Sequence, residues 1–190
     1  MRREQDYKNI TFVIPTNRDN VRTLDSIPEG CDVKLEREGN ENEARNRGIK
    51  SAKTEYIALC DDDINFTCEF LDRCLTSADN GVIIGLEDYY PLRWVISRFM
   101  LFTKSDWQKI GSFDESVRHG AETDFCIRAE KMGIKTIRLP RNSVVHFEHE
   151  KPAYHKTHVK WLWYLWWRHP KYMTVPAFKL IFRKITGIQL

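Results

Sequence analysis

The sequence predicts an α/β protein in which helices cover both faces of a largely parallel central sheet, as an α/β/α sandwich. Short apolar runs rich in β-branched residues, such as ITFVIP at residues 10–15 and YIALC at residues 56–60, alternate with longer stretches of helical composition. This alternation is typical of a parallel sheet with crossover helices. The length of 190 residues is sufficient for one hydrophobic core of this kind.

The first part of the chain provides two strands, each followed by a helix. The run at residues 10–15 is apolar and ends at Pro15, which predicts a buried first strand. After a polar loop, the alternation in CDVKLE predicts a second strand. Ala44, Ile49 and Ala52 provide an inner face for the helix that follows. The predicted elements are a strand at 10–15, a helix at about 19–26, a strand at 31–36 and a helix at 41–52.

The remainder of the body continues the same alternation. Residues 94–104 are apolar enough for a strand that crosses the core. Gly133 is a suitable C-terminal cap for the helix that precedes it. The predicted elements are strands at 55–60, 82–86, 94–104, 134–139 and 143–147, and helices at 67–75 and 121–132.

Three carboxylates, Asp61, Asp62 and Asp63, directly follow the apolar run YIALC. Adjacent carboxylates repel one another, and an open α/β sheet binds ligands at the carboxyl ends of its strands. Mg²⁺ and Mn²⁺ prefer oxygen ligands and often join carboxylates to a phosphate. The sequence therefore predicts a divalent-cation site at this strand end. The alternative is a solvated acidic turn that caps the next helix.

Charge is distributed unevenly between two segments. Residues 1–150 contain all 27 Asp and Glu together with 22 Lys and Arg, whereas residues 151–190 contain eight Lys and Arg and no acidic residue. The shift predicts a body at 1–150 and a basic, tryptophan-rich helical extension at 151–190 that has a different role.

The extension has the composition of a surface-binding helical segment. Four tryptophans occur within seven residues at 161–167, and Phe178, Ile181, Phe182 and Ile185 share one helical face. Aromatic and basic residues together are typical of the membrane interface, so peripheral membrane contact through residues 158–190 is expected. The alternative is packing on the body or on a second subunit. Nucleic acid is not expected as a partner, because the basic residues surround apolar stripes instead of forming one polar face.

Several motifs occur in a defined order over roughly residues 10–149. They are Pro15-Thr16 after the first strand, NEARNRGI at 42–49, Asp61-Asp62-Asp63, GSFDE at 111–115, GAETDFCIR at 120–128 and VVH at 144–146. In this order and spacing they resemble the family 2 glycosyltransferases, which use nucleotide-diphosphosugars and have the GT-A fold. The resemblance implies a GT-A-type sandwich that transfers a sugar to an acceptor hydroxyl, as a rule with inversion.

The resemblance also implies which residues bind the donor. Pro15, Thr16 and Arg18 correspond to the loop that lines the nucleotide pocket. Arg45 corresponds to a residue that faces the nucleotide, where a guanidinium fork suits a pyrophosphate. The run of three aspartates is similar to the family's DxD motif, in which Asp61 and Asp62 lie near the ribose.

The metal ligands follow from the same resemblance. Asp63 is expected to bind Mn²⁺ or Mg²⁺, with Asp61 as a second ligand, and the cation would join the two donor phosphates. His146 matches a late histidine that completes the metal shell in some members, and an imidazole ligand favours Mn²⁺. His149 is a weaker candidate for the same position.

Glu122 occupies the position of the catalytic base, which is an aspartate in the family pattern. A carboxylate within hydrogen-bond reach is needed because an acceptor hydroxyl has a high pKa. Asp124 is the second candidate, and a helix start rich in acidic residues is the structural alternative. Ala121 replaces a second carboxylate of the family pattern. A further departure is the absence of Asp-Asp-Gly-Ser after the second strand. The nucleotide base therefore cannot be inferred from these residues, and the preference for a UDP-sugar over a GDP-sugar rests on the resemblance to the family alone.

Two other functional classes remain open: a non-catalytic GT-A-like binding module, and another Mg²⁺- or Mn²⁺-dependent nucleotide-using transferase. A glycan or a lipid-linked molecule is the expected acceptor. Without an apolar leader or an 18-residue apolar run, a cytoplasmic protein is expected, peripheral on the inner face of the membrane. Trp94 is expected in the core, with an acceptor-side loop that also includes Arg93 as the alternative.

Overall fold

The computed structural model describes residues 4–147 and 158–186, so His149 lies outside the described residues. Six strands form a central sheet and two short strands form a separate ribbon. The strands are β1 Ile10–Pro15, β2 Asp32–Glu36, β3 Tyr56–Cys60, β4 Ile64–Asn65, β5 Val82–Glu87, β6 Val95–Thr103, β7 Lys135–Leu139 and β8 Val145–His146. The helices are α1 Glu41–Ser51, α2 Cys68–Ser77, α3 Lys104–Ile110, α4 Ala121–Lys131, α5 His158–Arg168 and α6 Pro170–Thr186.

The central sheet has the strand order β2-β1-β3-β6-β5-β7. β6 is antiparallel to both of its neighbours, β3 and β5, and the other neighbouring pairs are parallel. Five of the six strands therefore run in one direction, which confirms the predicted largely parallel sheet. β1 and β3 are adjacent and parallel, with Val13 paired to Leu59, so both strands end at the same edge of the sheet.

Side chains that alternate along each strand form two cores, one on each face of the sheet. Along β1, Phe12 and Ile14 belong to one core, which α2 covers, and Val13 belongs to the other. The second core is covered by α1, α3 and α4 and also by α5 and α6, which contribute the fully buried Leu165 and Met173. This three-layer arrangement confirms the predicted α/β/α sandwich with a helical C-terminal segment.

Most predicted elements are present with ends shifted by one or two residues, two differ, and the structure adds α3 and β4, which were not predicted. The helix expected at 19–26 is only a 3₁₀ turn, Arg22–Ser26. The strand expected at 143–147 is reduced to β8, which leaves the main sheet and pairs with β4. Helix α3 was not predicted, because the apolar run to residue 104 obscured its N-cap, where the Thr103 hydroxyl accepts a hydrogen bond from the Asp106 amide.

A single residue, His169, connects the two C-terminal helices, because α5 ends at Arg168 and α6 begins at Pro170. Trp161 and Trp166 pack against the core, whereas Trp163 and Trp167 are 61% and 74% exposed. Within residues 4–147 and 158–186, no helix combines the length and the hydropathy that crossing a membrane requires.

Candidate active site

The polar segments after β1 and β3 meet because these two parallel strands end side by side. The Thr16 hydroxyl donates to the Asp62 carboxylate at 2.5 Å, and the Arg18 guanidinium contacts both Asp62 and Asp63 at 3.1 Å. A single guanidinium therefore offsets the charge of two neighbouring carboxylates. The structure thus brings Thr16 and Arg18 into contact with Asp62 and Asp63.

A cleft of about 800 Å³ lies above this edge of the sheet. Its walls come from the β1 loop, the segment from the end of β2 to the start of α1, the aspartate run and the loop before α4. Of the predicted site residues, it is lined by Pro15, Thr16, Arg18, Asp61, Asp62, Asp63 and His146. Arg45, Glu122 and Asp124 are not among the lining residues.

The short ribbon brings His146 to the aspartate run. Ile64 on β4 pairs with His146 on β8, and the Phe147 amide donates to the Asp63 carbonyl at 2.9 Å. The His146 Nε2 consequently lies 3.4 Å from an Asp63 carboxylate oxygen. Eighty-two residues separate Asp63 and His146 in the sequence, so the pairing of β4 with β8 is what brings them into contact.

The residues present fit a divalent cation by their donor chemistry. A buried carboxylate and an imidazole nitrogen lie together, and both are ligand types that Mn²⁺ accepts. The guanidinium already bound to Asp63 shows that this buried carboxylate attracts a positive charge. Within the described part of the chain, no three His, Cys, Asp or Glu side chains lie together in a way that could hold a metal ion. A cation at Asp63 and His146 would therefore need further ligands, such as water or phosphate oxygens.

The carboxyl group of Asp61 has a strongly perturbed pKa. Burial, together with the nearby Glu41 carboxylate, raises its pKa from 3.8 to about 7, although Arg45 and Arg98 oppose the shift. Arg98 lies on β6, where its carbonyl accepts from the Asp61 amide and its Nε lies 3.8 Å from the Asp61 carboxylate. Arg98 also lines the cleft, and it was not predicted as a site residue because it lies within an apolar strand.

Arg45 is directed towards the interior and not towards the cleft. Its side chain is only 3% exposed and donates to Asn42, Glu41, Ser97 and Glu122. Its contact with the Glu122 carboxylate measures 3.2 Å. The position expected to face the nucleotide therefore contacts the candidate base instead.

The Glu122 carboxylate is held in an ionised state by its surroundings. Burial raises its pKa, but the Arg45 guanidinium, the backbone N–H and the Ser97 hydroxyl at 2.8 Å outweigh burial and lower the pKa below 4.5. The two side-chain donors bind the same oxygen, Oε1. The side chain keeps 23% of its surface exposed, so the carboxylate is ionised and accessible at neutral pH.

Asp124 lies two residues after Glu122 on α4 and is completely buried. It accepts from Arg128 Nε at 2.8 Å and contacts Arg168 Nε at 3.0 Å. His169 Nε2 lies 2.8 Å from the same carboxylate, and Lys131 Nζ lies 2.8 Å from His169 Nδ1. Because an ammonium group only donates, Nδ1 accepts and Nε2 carries the proton that bonds Asp124.

The contacts of Asp124 join α4 to the turn between α5 and α6. Arg168 also bonds Asp114 at 2.7 Å, and the Tyr164 hydroxyl donates to the same Asp114 oxygen at 2.9 Å. Through its contacts with Arg168 and His169, Asp124 therefore holds the C-terminal helices against the body. This cluster was not predicted, because its basic members lie in a segment for which packing on the body was only the alternative to a surface role.

Helix α1 also holds the loop that precedes α4. The Asn42 side chain donates to the carbonyls of Asp114 and Val117, and the Asn46 side chain exchanges hydrogen bonds with the Phe113 backbone. The loop from 115 to 118 lines the cleft, as do Glu41, Asn42 and Ala44, so α1 contributes to the cleft directly and also through this loop.

Arg93 and Trp94 are placed away from the cleft. Trp94 is 1% exposed and donates its indole N–H to Glu130 at 3.1 Å, and Arg93 pairs with the same carboxylate. The core interpretation of Trp94 is therefore confirmed.

The sequence is similar to a curated bacterial protein. It is 27% identical over 142 residues to the uncharacterized glycosyltransferase YwdF of Bacillus subtilis (strain 168), an alignment that covers 60% of this chain. This chain spans about half of that relative, since 53% of its length is covered.

Several solved structures share the fold. The mannosyltransferase PcManGT from Pyrobaculum calidifontis, in complex with GDP-Man and Mn²⁺, matches with a TM-score of 0.61 at 17% identity, covering 83% of this chain and 61% of that one. A Drosophila β1,4-galactosyltransferase 7 mutant, in complex with manganese, UDP-Gal and xylobiose, matches with a TM-score of 0.56 at 14% identity, covering 80% and 79%. At these identities the likeness establishes the fold alone.

Membership of a family is established by sequence. The family model described as glycosyl transferase family 2 matches residues 3–137, well over half of the chain. The chain belongs to glycosyl transferase family 2.

Proposed function

We propose that this protein transfers a sugar from a nucleotide-diphosphate donor to an acceptor hydroxyl, with inversion, and that the cleft above β1 and β3 binds the donor. The observation that carries the proposal is the set of three aspartates at the carboxyl end of β3, which line a cleft of about 800 Å³ together with the Thr16 loop. Family membership supports a transferase, and the titles of two structural neighbours name nucleotide sugars with manganese.

In this proposal residues 1–150 carry the transferase and residues 151–190 form an extension. The loop of Pro15, Thr16 and Arg18 binds the nucleotide together with Asp61 and Asp62. Asp63, with His146 and Asp61, would hold Mn²⁺ or Mg²⁺, which supplies positive charge for the diphosphate leaving group. Arg18 already contacts the carboxylates of Asp62 and Asp63, and its flexible side chain is 38% exposed, so it can turn towards donor phosphates.

Glu122 is the proposed base that accepts the proton of the acceptor hydroxyl. Its carboxylate is ionised because Arg45 and Ser97 stabilise the negative charge, so it is ready to accept a proton at neutral pH. A base with a lowered pKa is intrinsically weak, and positioning must therefore supply much of its effect. Asp124 is not given this role, because three cationic or imidazole groups surround its fully buried carboxylate.

The donor nucleotide and the acceptor are proposed at the level of chemical class. A UDP-sugar is preferred over a GDP-sugar, and the acceptor is a glycan or a lipid-linked hydroxyl. We place the protein in the cytoplasm, peripheral on the inner face of the membrane. The acid-free extension with eight Lys and Arg supports this location, because anionic lipids attract such segments.

A thermal-shift panel tests the donor site. UDP, GDP, CDP and TDP are each combined with Mn²⁺, Mg²⁺ or EDTA, on the wild type and on Asp63→Ala. At 100 times its Kd a ligand stabilises by about 2.7 kcal/mol, which corresponds to a rise in Tm of roughly 5–10 °C for a chain of this size.

The expected result is a metal-dependent shift with one nucleotide that Asp63→Ala abolishes. Asp19→Ala is the matched control, because its side chain is fully exposed beside the same loop. If no nucleotide shifts the wild type with either metal, the nucleotide-sugar site is wrong. If a nucleotide binds but its sugar donors are never hydrolysed, the protein is the non-catalytic module.

A further inference from the structure

Helix α6 has two apolar faces, and only one of them packs on the protein. Met173 and Ala177 are buried against the body. On the opposite side, Val175, Phe178 and Ile185 are 63%, 62% and 78% exposed. An amphipathic helix that only packs on a body has a polar outer face, so the second apolar face of α6 requires a separate explanation.

The exposed aromatic residues of α5 continue this apolar surface. The rings of Trp163 and Trp166 lie 5.2 Å apart, and the Trp166 indole donates to Thr174 on α6 at 3.2 Å. Thr174 lies one turn before Phe178 on α6. The surface that we call the tail face consists of Trp163, Trp167, Val175, Phe178, Ile181 and Ile185.

The charged residues of α5 and α6 are all basic. Lys160, Lys171 and Arg183 are exposed on α5 and α6, and residues 151–190 contain no Asp or Glu. A second copy of this chain would place the same basic groups opposite each other in a two-fold contact, which is unfavourable. A surface that carries negative charge above an apolar layer complements the tail face.

We propose that the tail face binds the surface of an anionic lipid bilayer, with Trp163, Trp167, Phe178, Ile181 and Ile185 inserted at headgroup depth and the basic residues at the phosphates. Aromatic rings are favoured at this depth, and each nearby basic residue adds to the attraction. The inference deepens the proposed peripheral location and does not depend on transferase activity.

Docking of this kind would place the cleft beside the lipid surface. Arg168 and Tyr164 of α5 bind Asp114, and the next residues of that loop, 115–118, line the cleft. On the other side of the same loop, Asn42 binds the Asp114 and Val117 carbonyls. An acceptor held in the membrane would thus be presented next to a wall of the donor site.

Vesicle flotation of the full chain tests the proposal, with phosphatidylcholine vesicles and with vesicles that also contain phosphatidylglycerol. We expect flotation with the anionic vesicles at low salt and its loss at high salt, because screening weakens charge attraction. Phe178→Ser should lower the apparent binding constant about tenfold. Met132→Ser is the matched control, because Met132 is 56% exposed on the body and should leave binding unchanged. Arg183→Gln should lower binding about fivefold on anionic vesicles alone.

Three results would overturn the proposal. One is a wild-type protein that stays in the soluble fraction with anionic vesicles at low salt. Another is flotation that Phe178→Ser and Met132→Ser reduce equally. The third is a dimer in light scattering that Phe178→Ser dissociates without vesicles, which would assign the tail face to a second copy. No nucleotide or sugar is present in these measurements, so their failure leaves the transferase proposal intact.

Discussion

Glu122 and Asp124 are two residues apart on α4, and we predict that replacing each of them has a different consequence. Glu122→Gln should abolish most activity with little change in stability, whereas Asp124→Asn should lower stability and leave the folded enzyme active. The structural basis is that Glu122 is partly exposed beside Arg45, while Asp124 is fully buried and accepts from Arg128, Arg168 and His169.

The magnitudes follow from these surroundings. Removing one partner from a buried ion pair costs about 3–5 kcal/mol, and the lower end applies to Asp124→Asn because Arg168 is 44% exposed and can turn to water. A loss of about 3 kcal/mol corresponds to a Tm lowered by roughly 6–12 °C. For Glu122→Gln, loss of a general base lowers kcat by about 10²–10⁴. Arg45 keeps its contact with Glu41, so the Tm of this variant should fall by only a few degrees.

The assay measures release of nucleoside diphosphate from a panel of UDP- and GDP-sugars with Mn²⁺, well below the Tm of both variants. Tm is measured in parallel by scanning calorimetry. If Asp124→Asn loses activity at an unchanged Tm while Glu122→Gln remains active, the assignment of the base is wrong. If both variants lose only stability, then neither carboxylate takes part in the reaction.

Two further predictions concern helix α1. Arg45→Met removes the cation that lowers the Glu122 pKa, so the part of the acid limb of the pH–rate profile that Glu122 contributes should move towards neutral pH. Lys50→Met, an exposed change on the same helix, should leave the profile unmoved, and an unmoved profile for both would contradict the proposed pairing. Gly48→Ala places a Cβ 2.4 Å from a Val13 methyl group, so it should lower the free energy of unfolding by about 1–3 kcal/mol. Denaturant unfolding measures this loss, and an unchanged midpoint would show that α1 does not pack this closely on β1.

The fold could largely be predicted from the sequence, because its strands are short apolar runs with clear ends. Pro15 ends β1, and the aspartate run marks the end of β3, so the edge of the sheet below the cleft could be predicted from two strand ends. The β4–β8 ribbon could not be predicted, since each strand is two residues long and its pairing is set by the tertiary fold. The contact of His146 with Asp63 depends on that ribbon.

The contacts that side chains of the candidate site make with one another were harder to predict than the residues that line the cleft. Asp124 is bound by Arg168 and His169, which lie more than 40 residues later in a segment with no pattern that indicates burial. A motif shows which residue types are present but not which way they point. Arg45 is an example, because a guanidinium fork suits a phosphate and a carboxylate equally well, and the motif alone does not distinguish the two partners.

The segment NEARNRGI at residues 42–49 positions two parts of the candidate site, the loop before α4 and the proposed base Glu122. Asn42 and Asn46 bind the loop before α4, Arg45 stabilises the ionised Glu122, and Gly48 allows α1 to approach β1 closely. A substitution at Arg45, Asn46 or Gly48 should therefore act through the loop or through Glu122, because these three residues do not line the cleft, whereas Asn42 does. Nucleotide affinity is the measurement that separates the two cases: Arg45→Met should leave the thermal shift with nucleotide and Mn²⁺ almost unchanged, because the guanidinium does not line the cleft. A shift abolished as completely as by Asp63→Ala would instead mean that Arg45 turns to the phosphates when the donor binds.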